Sequence, residues 1–185
     1  MTAGAVLCGG TSRRMGTDKA MVEVGGVAMA ERVARALAAG GCVPVAFIGG
    51  DRAALSRFGR PVHADRWPGE GPLGGVLTAL AVAGGDDVVA AACDLPFLDG
   101  ATVATVLAAA TAGGREQRVD VVVATTVRLE PALAWWSAAA HDDIARRWDR
   151  GMRALHEVIA ELRSVEVPVE PAALRNVNAP SDLPP

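Results

Sequence analysis

The sequence predicts an α/β protein: a three-layer α/β/α sandwich around a mostly parallel, doubly wound sheet. Three observations predict it. Short runs rich in Val, Ile and Ala recur at Ala5–Cys8, Val43–Ile48, Asp87–Cys93 and Val119–Ala124, too short for helices and apolar on both faces. Segments with helical spacing lie between them. Glycine- or proline-rich turns mark the junctions, so strand and helix alternate in the rhythm of βαβ units.

Ala5–Cys8 is predicted as a buried parallel strand that empties into Gly9-Gly10, and Met21–Val24 as a small extended piece. Met29–Ala39 has a helical pattern, with Met29, Val33, Ala36 and Leu37 on one side and Glu31, Arg32 and Arg35 on the other. Gly40-Gly41 ends it. Val43–Ile48 is the second strand, Ala53–Phe58 a short helix and Pro61–His63 a brief strand. The loop from Ala64 to Pro72 is dense in turn formers. A helix over Leu73–Ala83 leads to the apolar strand Asp87–Cys93, then to a helix over Gly100–Ala110 and a strand at Val119–Ala124. Further on, Glu130–Trp136 and Val165–Val169 are expected as strands, and Ser137–Trp148 and Gly151–Leu162 as helices. The tail from Arg175 is turn-like. No repeat or linker divides the chain, and 185 residues suit one domain with a full core, expected to cover 1–185.

Composition narrows the class. A hydrophobic fraction of 51% and a net charge of −3 leave no basic footprint for nucleic acid or anionic lipid. Three scattered cysteines fit a reducing compartment, and the N-terminus lacks a basic leader, so the expected location is the cytoplasm. No apolar stretch reaches membrane-spanning length.

The chemistry concentrates in Val6–Ala20. Two glycines, a hydroxyl pair, Arg13, Arg14, Gly16 and Lys19 follow a strand end. Glycines let backbone N–H groups approach an anion, arginine offers a planar fork to phosphate oxygens, and lysine supplies a compact charge. The spacing fits neither a Gly-x4-Gly-Lys-Ser/Thr loop nor a Gly-x-Gly-x-x-Gly fingerprint. In a doubly wound sheet, ligands lie outside the carboxyl ends of the strands, which gathers Cys8-Gly9, Gly49, Asp65 and Asp94 on one rim. Asp94 ends an apolar strand and precedes Leu95-Pro96. A carboxylate there suits Mg²⁺, which takes one or two carboxylates plus substrate phosphates, whereas Asp99 is better placed to cap the next helix. By residue type alone Asp65, Asn176 and Asn178 read as turn formers rather than as site residues. His63, His141 and His156 show no metal spacing and are expected to be structural or solvated.

The ordered string Leu7-Cys8-Gly9-Gly10-Thr11-Ser12-Arg13-Arg14-Met15-Gly16-Thr17-Asp18-Lys19-Ala20 resembles the nucleotide-binding signature of the molybdenum cofactor guanylyltransferases, within the nucleotidyltransferase superfamily. Asp65 followed by Gly71-Pro72-Leu73-Gly74-Gly75, Asp94-Leu95-Pro96, and Asn176-Val177-Asn178-Ala179-Pro180-Ser181-Asp182-Leu183 resemble later segments of the same family. The resemblance spans nearly the entire chain and implies a Rossmann-like nucleotidyltransferase fold. It implies transfer of GMP from GTP to the terminal phosphate of molybdopterin or Mo-molybdopterin, with release of pyrophosphate. Leu7, Cys8, Gly9, Gly10, Lys19, Gly49, Asp65 and Asp94 would bind the nucleotide. Arg13, Lys19 and Asp94 would carry catalysis, and Asp94 would hold Mg²⁺. Asn176, Asn178 and Arg153 would meet the acceptor or the metal, and transient contact with other cofactor-assembly proteins is implied. Gly74-Gly75 would let a base or phosphate lie against backbone. Glu130 departs from the family pattern, and an acidic residue there would sit awkwardly beside an anionic acceptor. Cys8 stands where the family usually has alanine. Transfer from CTP, a sugar or other small organic phosphate as acceptor, and a catalytically silent GTP-binding partner remain open readings at this level.

Overall fold

The computed structural model describes residues 1–9, 18–112, 118–178 and 182. Strands β1 (Thr2–Leu7), β4 (Val45–Ile48), β5 (Val62–His63), β6 (Asp87–Ala92), β7 (Val121–Thr125), β8 (Leu129–Trp136) and β9 (Ser164–Pro168) form a seven-stranded sheet in the order β5-β4-β1-β6-β8-β7-β9. Only β8 runs against its neighbours. The two-residue strands β2 (Glu23–Val24) and β3 (Val27–Ala28) make a separate hairpin across Gly25-Gly26.

Both sheet faces are apolar and covered, as the continuous hydrophobic runs require. Val6, Cys8, Val89, Ala91, Cys93, Val122 and Trp135 point to one side, where α1 (Met29–Ala39) and α4 (Gly100–Ala112) pack with Val33, Leu37, Val103 and Val106. Ala3, Ala5, Val88, Ala90, Val121, Val123 and Trp136 point to the other. There α3 (Pro72–Ala83), α5 (His141–Asp149) and α6 (Leu155–Ala160) close the layer with Leu73, Leu77, Ile144, Trp148 and Val158. The short helix α2 (Arg52–Ser56) starts at Asp51, whose carboxylate accepts the Ala53 and Ala54 N–H groups. Asp99 likewise accepts from Thr102 N at 2.7 Å, the capping role expected of it.

The last third differs from expectation. The segment over 151–162 is helical only at Leu155–Ala160. Gly151 takes a φ of +95°, and Ala154 is extended at ψ 129°, so the chain turns before the helix begins. Ser137 starts a 3-10 turn at Ala138–Ala140 rather than a continuous helix. Trp135, Trp136 and Trp148 are all buried.

A charged lock ties β7 to β9. Asp120 is 3% exposed and accepts two hydrogen bonds from the Arg163 guanidinium and one from its N–H. Burial pushes the Asp120 carboxyl upward, but the bonds from Arg163 and the nearby Arg118 charge outweigh it and hold it below the usual carboxylate range. A depressed folded-state value contributes stability that is present above the unfolded value and lost as pH falls through the folded one. Asp120→Asn is expected to lower the unfolding free energy by roughly 2 kcal/mol at neutral pH. Urea titrations should show the difference between variant and parent shrinking below pH ~4.

Candidate active site

The carboxyl ends of β1, β4, β5 and β6 open onto a cleft of about 620 Å³. Leu7, Gly9, Ile48, Asp65, Gly75 and Asp94 line one part of it. Gly49 has a φ of +75°, and a β-carbon on it would stand 3.2 Å from Gly9 N, so both glycines leave room for backbone to reach the cleft.

Asp65 is held rather than solvated. Thr78, 1% exposed within α3, donates its hydroxyl to Asp65 Oδ1 at 3.0 Å and accepts the Arg66 N–H at 3.1 Å. Trp67 N donates to the same Oδ1. The other oxygen is left facing Gly9, 3.4 Å from where a β-carbon there would stand. Gly74 serves packing instead of a ligand. Its missing β-carbon makes room for Trp67 at 3.1 Å and Trp148 at 3.3 Å, whereas Gly75 does border the cleft.

Asp94 and Lys19 meet across the rim. Asp18 caps the 3-10 turn Lys19–Met21 by accepting from Ala20 N, which fixes where the lysine leaves the backbone. Lys19 Nζ donates to Asp94 Oδ2 at 2.7 Å and to Asn178 Oδ1 at 2.5 Å. Neither side chain of the ion pair is more than 22% exposed, so solvent screens the pair only in part. The tail reaches the rim because Val177 is buried against Val24 and Met29, and its N–H donates to the Asp94 carbonyl at 3.0 Å. Asn176 lines the cleft beside it.

The far wall was less legible from residue type. At Val123/Ala124 the β7–β8 register shifts, and the looped residues Pro131 and Ala132 line the cleft, a bulge beside a site. Glu130 is not among the lining residues and accepts from Thr126 Oγ1 at 3.0 Å with Arg128 alongside, so the awkward acidic neighbour is turned into the hairpin. Ala154, Leu155 and His156 complete the wall. His156, expected to be structural or solvated, is the histidine that reaches the cleft. Arg153 lies over the Trp148 ring at 3.7 Å, pairs with Glu70 and donates to the Trp148 and Met152 carbonyls. Its guanidinium therefore braces the loop after Asp65. Gly10 and Arg13 lie outside the described residues. Among the described residues no three His, Cys, Asp or Glu side chains gather as a metal cluster.

The chain matches the MobA-like NTP transferase domain over residues 4–166. It belongs to that family. A probable molybdenum cofactor guanylyltransferase of Opitutus terrae is 33% identical across 97% of this chain and 92% of its own length. The molybdenum cofactor guanylyltransferase of Mesorhizobium japonicum is 35% identical across 98% and 92%. The crystal structure of molybdopterin-guanine dinucleotide biosynthesis protein A from Archaeoglobus fulgidus superposes with a TM-score of 0.78 at 27% identity, covering 98% of this chain and 94% of that one. A nucleotidyl transferase of Methanothermobacter thermautotrophicus, at 19% identity and a TM-score of 0.77, shares the fold. The three-layer, mostly parallel architecture predicted from the strand–helix rhythm is thus that of MobA-like NTP transferases.

Proposed function

We propose that this chain transfers GMP from GTP to the terminal phosphate of molybdopterin or its molybdenum-loaded form, giving the guanine dinucleotide and pyrophosphate. The observation that carries the reading is the Lys19–Asp94–Asn178 cluster at the rim of a cleft whose other end holds the oriented Asp65 carboxylate. Relatives named for this reaction along nearly the whole chain support it.

In this reading Asp65, Gly49 and the backbone of Leu7, Cys8 and Gly9 seat the nucleoside, and Gly10, Arg13 and Lys19 hold the triphosphate. The acceptor phosphate attacks the α-phosphorus in line, so no covalent enzyme intermediate is required. Negative charge builds on the transferred group and on departing pyrophosphate, and fixed cations aimed there stabilise the transition state more than the ground state. Positioning two anionic substrates against each other supplies much of the remaining rate. The Asp94 carboxylate and the Asn178 amide oxygen are hard oxygen donors of the kind Mg²⁺ takes, one or two protein ligands with phosphates completing the shell. Bound there, Mg²⁺ would neutralise phosphate charge. Asn176, Pro131, Ala132 and His156 then face the acceptor, with Arg153 holding the wall. The protein works as one unit over residues 1–185 in the cytoplasm, meeting other cofactor-assembly proteins transiently and neither nucleic acid nor membrane. Among the described residues no helix is long and apolar enough to cross a membrane.

Thr78→Val removes the hydroxyl that orients Asp65 while keeping the volume. It is expected to raise the KM for GTP by roughly 2–10-fold with kcat little changed, read from steady-state turnover. Guanylyl transfer itself is tested with GTP labelled at the α-phosphorus. The label should appear in a pterin dinucleotide, and label confined to GTP or GMP would reject the proposal.

A further inference from the structure

Two thiols sit side by side directly behind the rim. Leu7 and Ala92 are partners in the parallel β1–β6 ladder, and Cys93 N donates to the Leu7 carbonyl at 3.1 Å, so Cys8 and Cys93 are the next residues across from each other. Both point to the α1/α4 face and join the same buried cluster, 6% and 8% exposed. Each is followed at once by a rim residue, Gly9 and Asp94. Neighbouring strands lie about 4.8 Å apart, inside the roughly 4.4–6.8 Å Cα window of a disulfide. The third cysteine, Cys42, is buried next to Leu37 and Val45 in the same layer but follows α1, away from the rim.

We propose that Cys8 and Cys93 are an oxidisable dithiol whose conversion to a disulfide by hydrogen peroxide silences the adjoining nucleotide site; the silencing rests on the guanylyl-transfer reading. The hydrogen bond with Cys93 and burial push the Cys8 thiol up, so Cys8 is the resolving partner and the Cys93 sulfur, as its thiolate, attacks a peroxide oxygen. The O–O bond breaks, a sulfenic acid forms, and hydroxide leaves and takes up a proton as water. The second sulfur attacks the sulfenic sulfur, the S–O bond breaks, and the second water leaves. Two thiols and one peroxide thus give one disulfide and two waters, with two electrons passing from sulfur to oxygen.

The effect on the site follows from bond geometry. A disulfide most often sets its Cα atoms about 5.5–6 Å apart, wider than the strand spacing of about 4.8 Å, so closing the bond pushes the two strand ends apart by on the order of 1 Å. Gly9 and Asp94 move with them, and the Lys19–Asp94 contact loses its present alignment. Misplacement of reacting groups by about 1 Å costs on the order of 10²-fold in rate.

The test uses the full chain, exposed to graded hydrogen peroxide, quenched with catalase, then alkylated with iodoacetamide under denaturing conditions without reductant. Peptide mass mapping should find Cys8 and Cys93 linked and Cys42 alkylated. Pyrophosphate release should fall at least 10-fold as the linked form accumulates and return with dithiothreitol. Cys93→Ala should keep the basal rate and keep it after peroxide. Cys8 and Cys93 both alkylated, or both carried to sulfinic acids, would overturn the proposal, as would a fully linked protein of unchanged activity. Untreated protein that turns over no nucleotide would count against the guanylyl-transfer reading instead, and the mass map decides the disulfide by itself.

Discussion

Asp94→Asn is expected to lower pyrophosphate release by roughly 10³-fold while the protein keeps its fold and thermal midpoint. The substitution preserves volume and keeps an oxygen for Lys19, so the rim can close much as before. What it removes is the charge. Asp94 is a half-buried carboxylate in the turn two residues past β6, lining the cleft instead of capping a helix, and Asp99 already does the capping. Steady-state rates over a range of Mg²⁺ concentrations check this. An Asp94→Asn protein whose Mg²⁺-dependent turnover matches the parent would remove Asp94 from the mechanism.

Lys19→Met should cost roughly 10²–10³-fold in kcat, with GTP binding weakened less. The lysine donates to Asp94 and Asn178 at once, so its removal takes a cation from the rim together with one of the bonds that hold the tail there. Lys19→Arg should restore only a small part of the rate, because the guanidinium is planar and longer and cannot place a point charge between those two oxygens. Combined with Asp94→Asn, the loss should be well short of the product of the single losses, since the two side chains form one interacting unit. Nucleotide titration by tryptophan fluorescence separates binding from turnover.

Much of this arrangement was legible from residues. The apolar runs on both faces, punctuated by glycine, carry the doubly wound sheet, and the rim positions of Gly9, Gly49, Asp65 and Asp94 follow from where those runs stop. The antiparallel course of β8 was not legible. Thr126-Val127-Arg128 contains no Asn-Gly or Asp-Gly pair to announce a tight hairpin, and a looped register leaves no periodic trace. The helix expected over 151–162 shortened at its start. Gly151 at a φ of +95° and the extended Ala154 turn the chain before Leu155, and the turned segment seats Arg153 against Trp148 and Glu70. Thr78 gave no local signal either. It sits in the middle of an Ala/Leu/Val helix, where a threonine hydroxyl ordinarily bonds the carbonyl four residues back, as it can here to Gly74, and its contact with Asp65 arises only when the preceding loop folds onto it. His156 lines the cleft by location alone, since one histidine near a helix start says nothing about which wall it joins.

The most direct test of the account is pyrophosphate release from the purified protein with Mg²⁺ and molybdopterin, given GTP, CTP, ATP and UTP in separate reactions. Release with GTP alone, matched by a pterin–guanine dinucleotide in equal amount, is the predicted result. Release with CTP in place of GTP, or GTP bound tightly with no pyrophosphate formed, would contradict it.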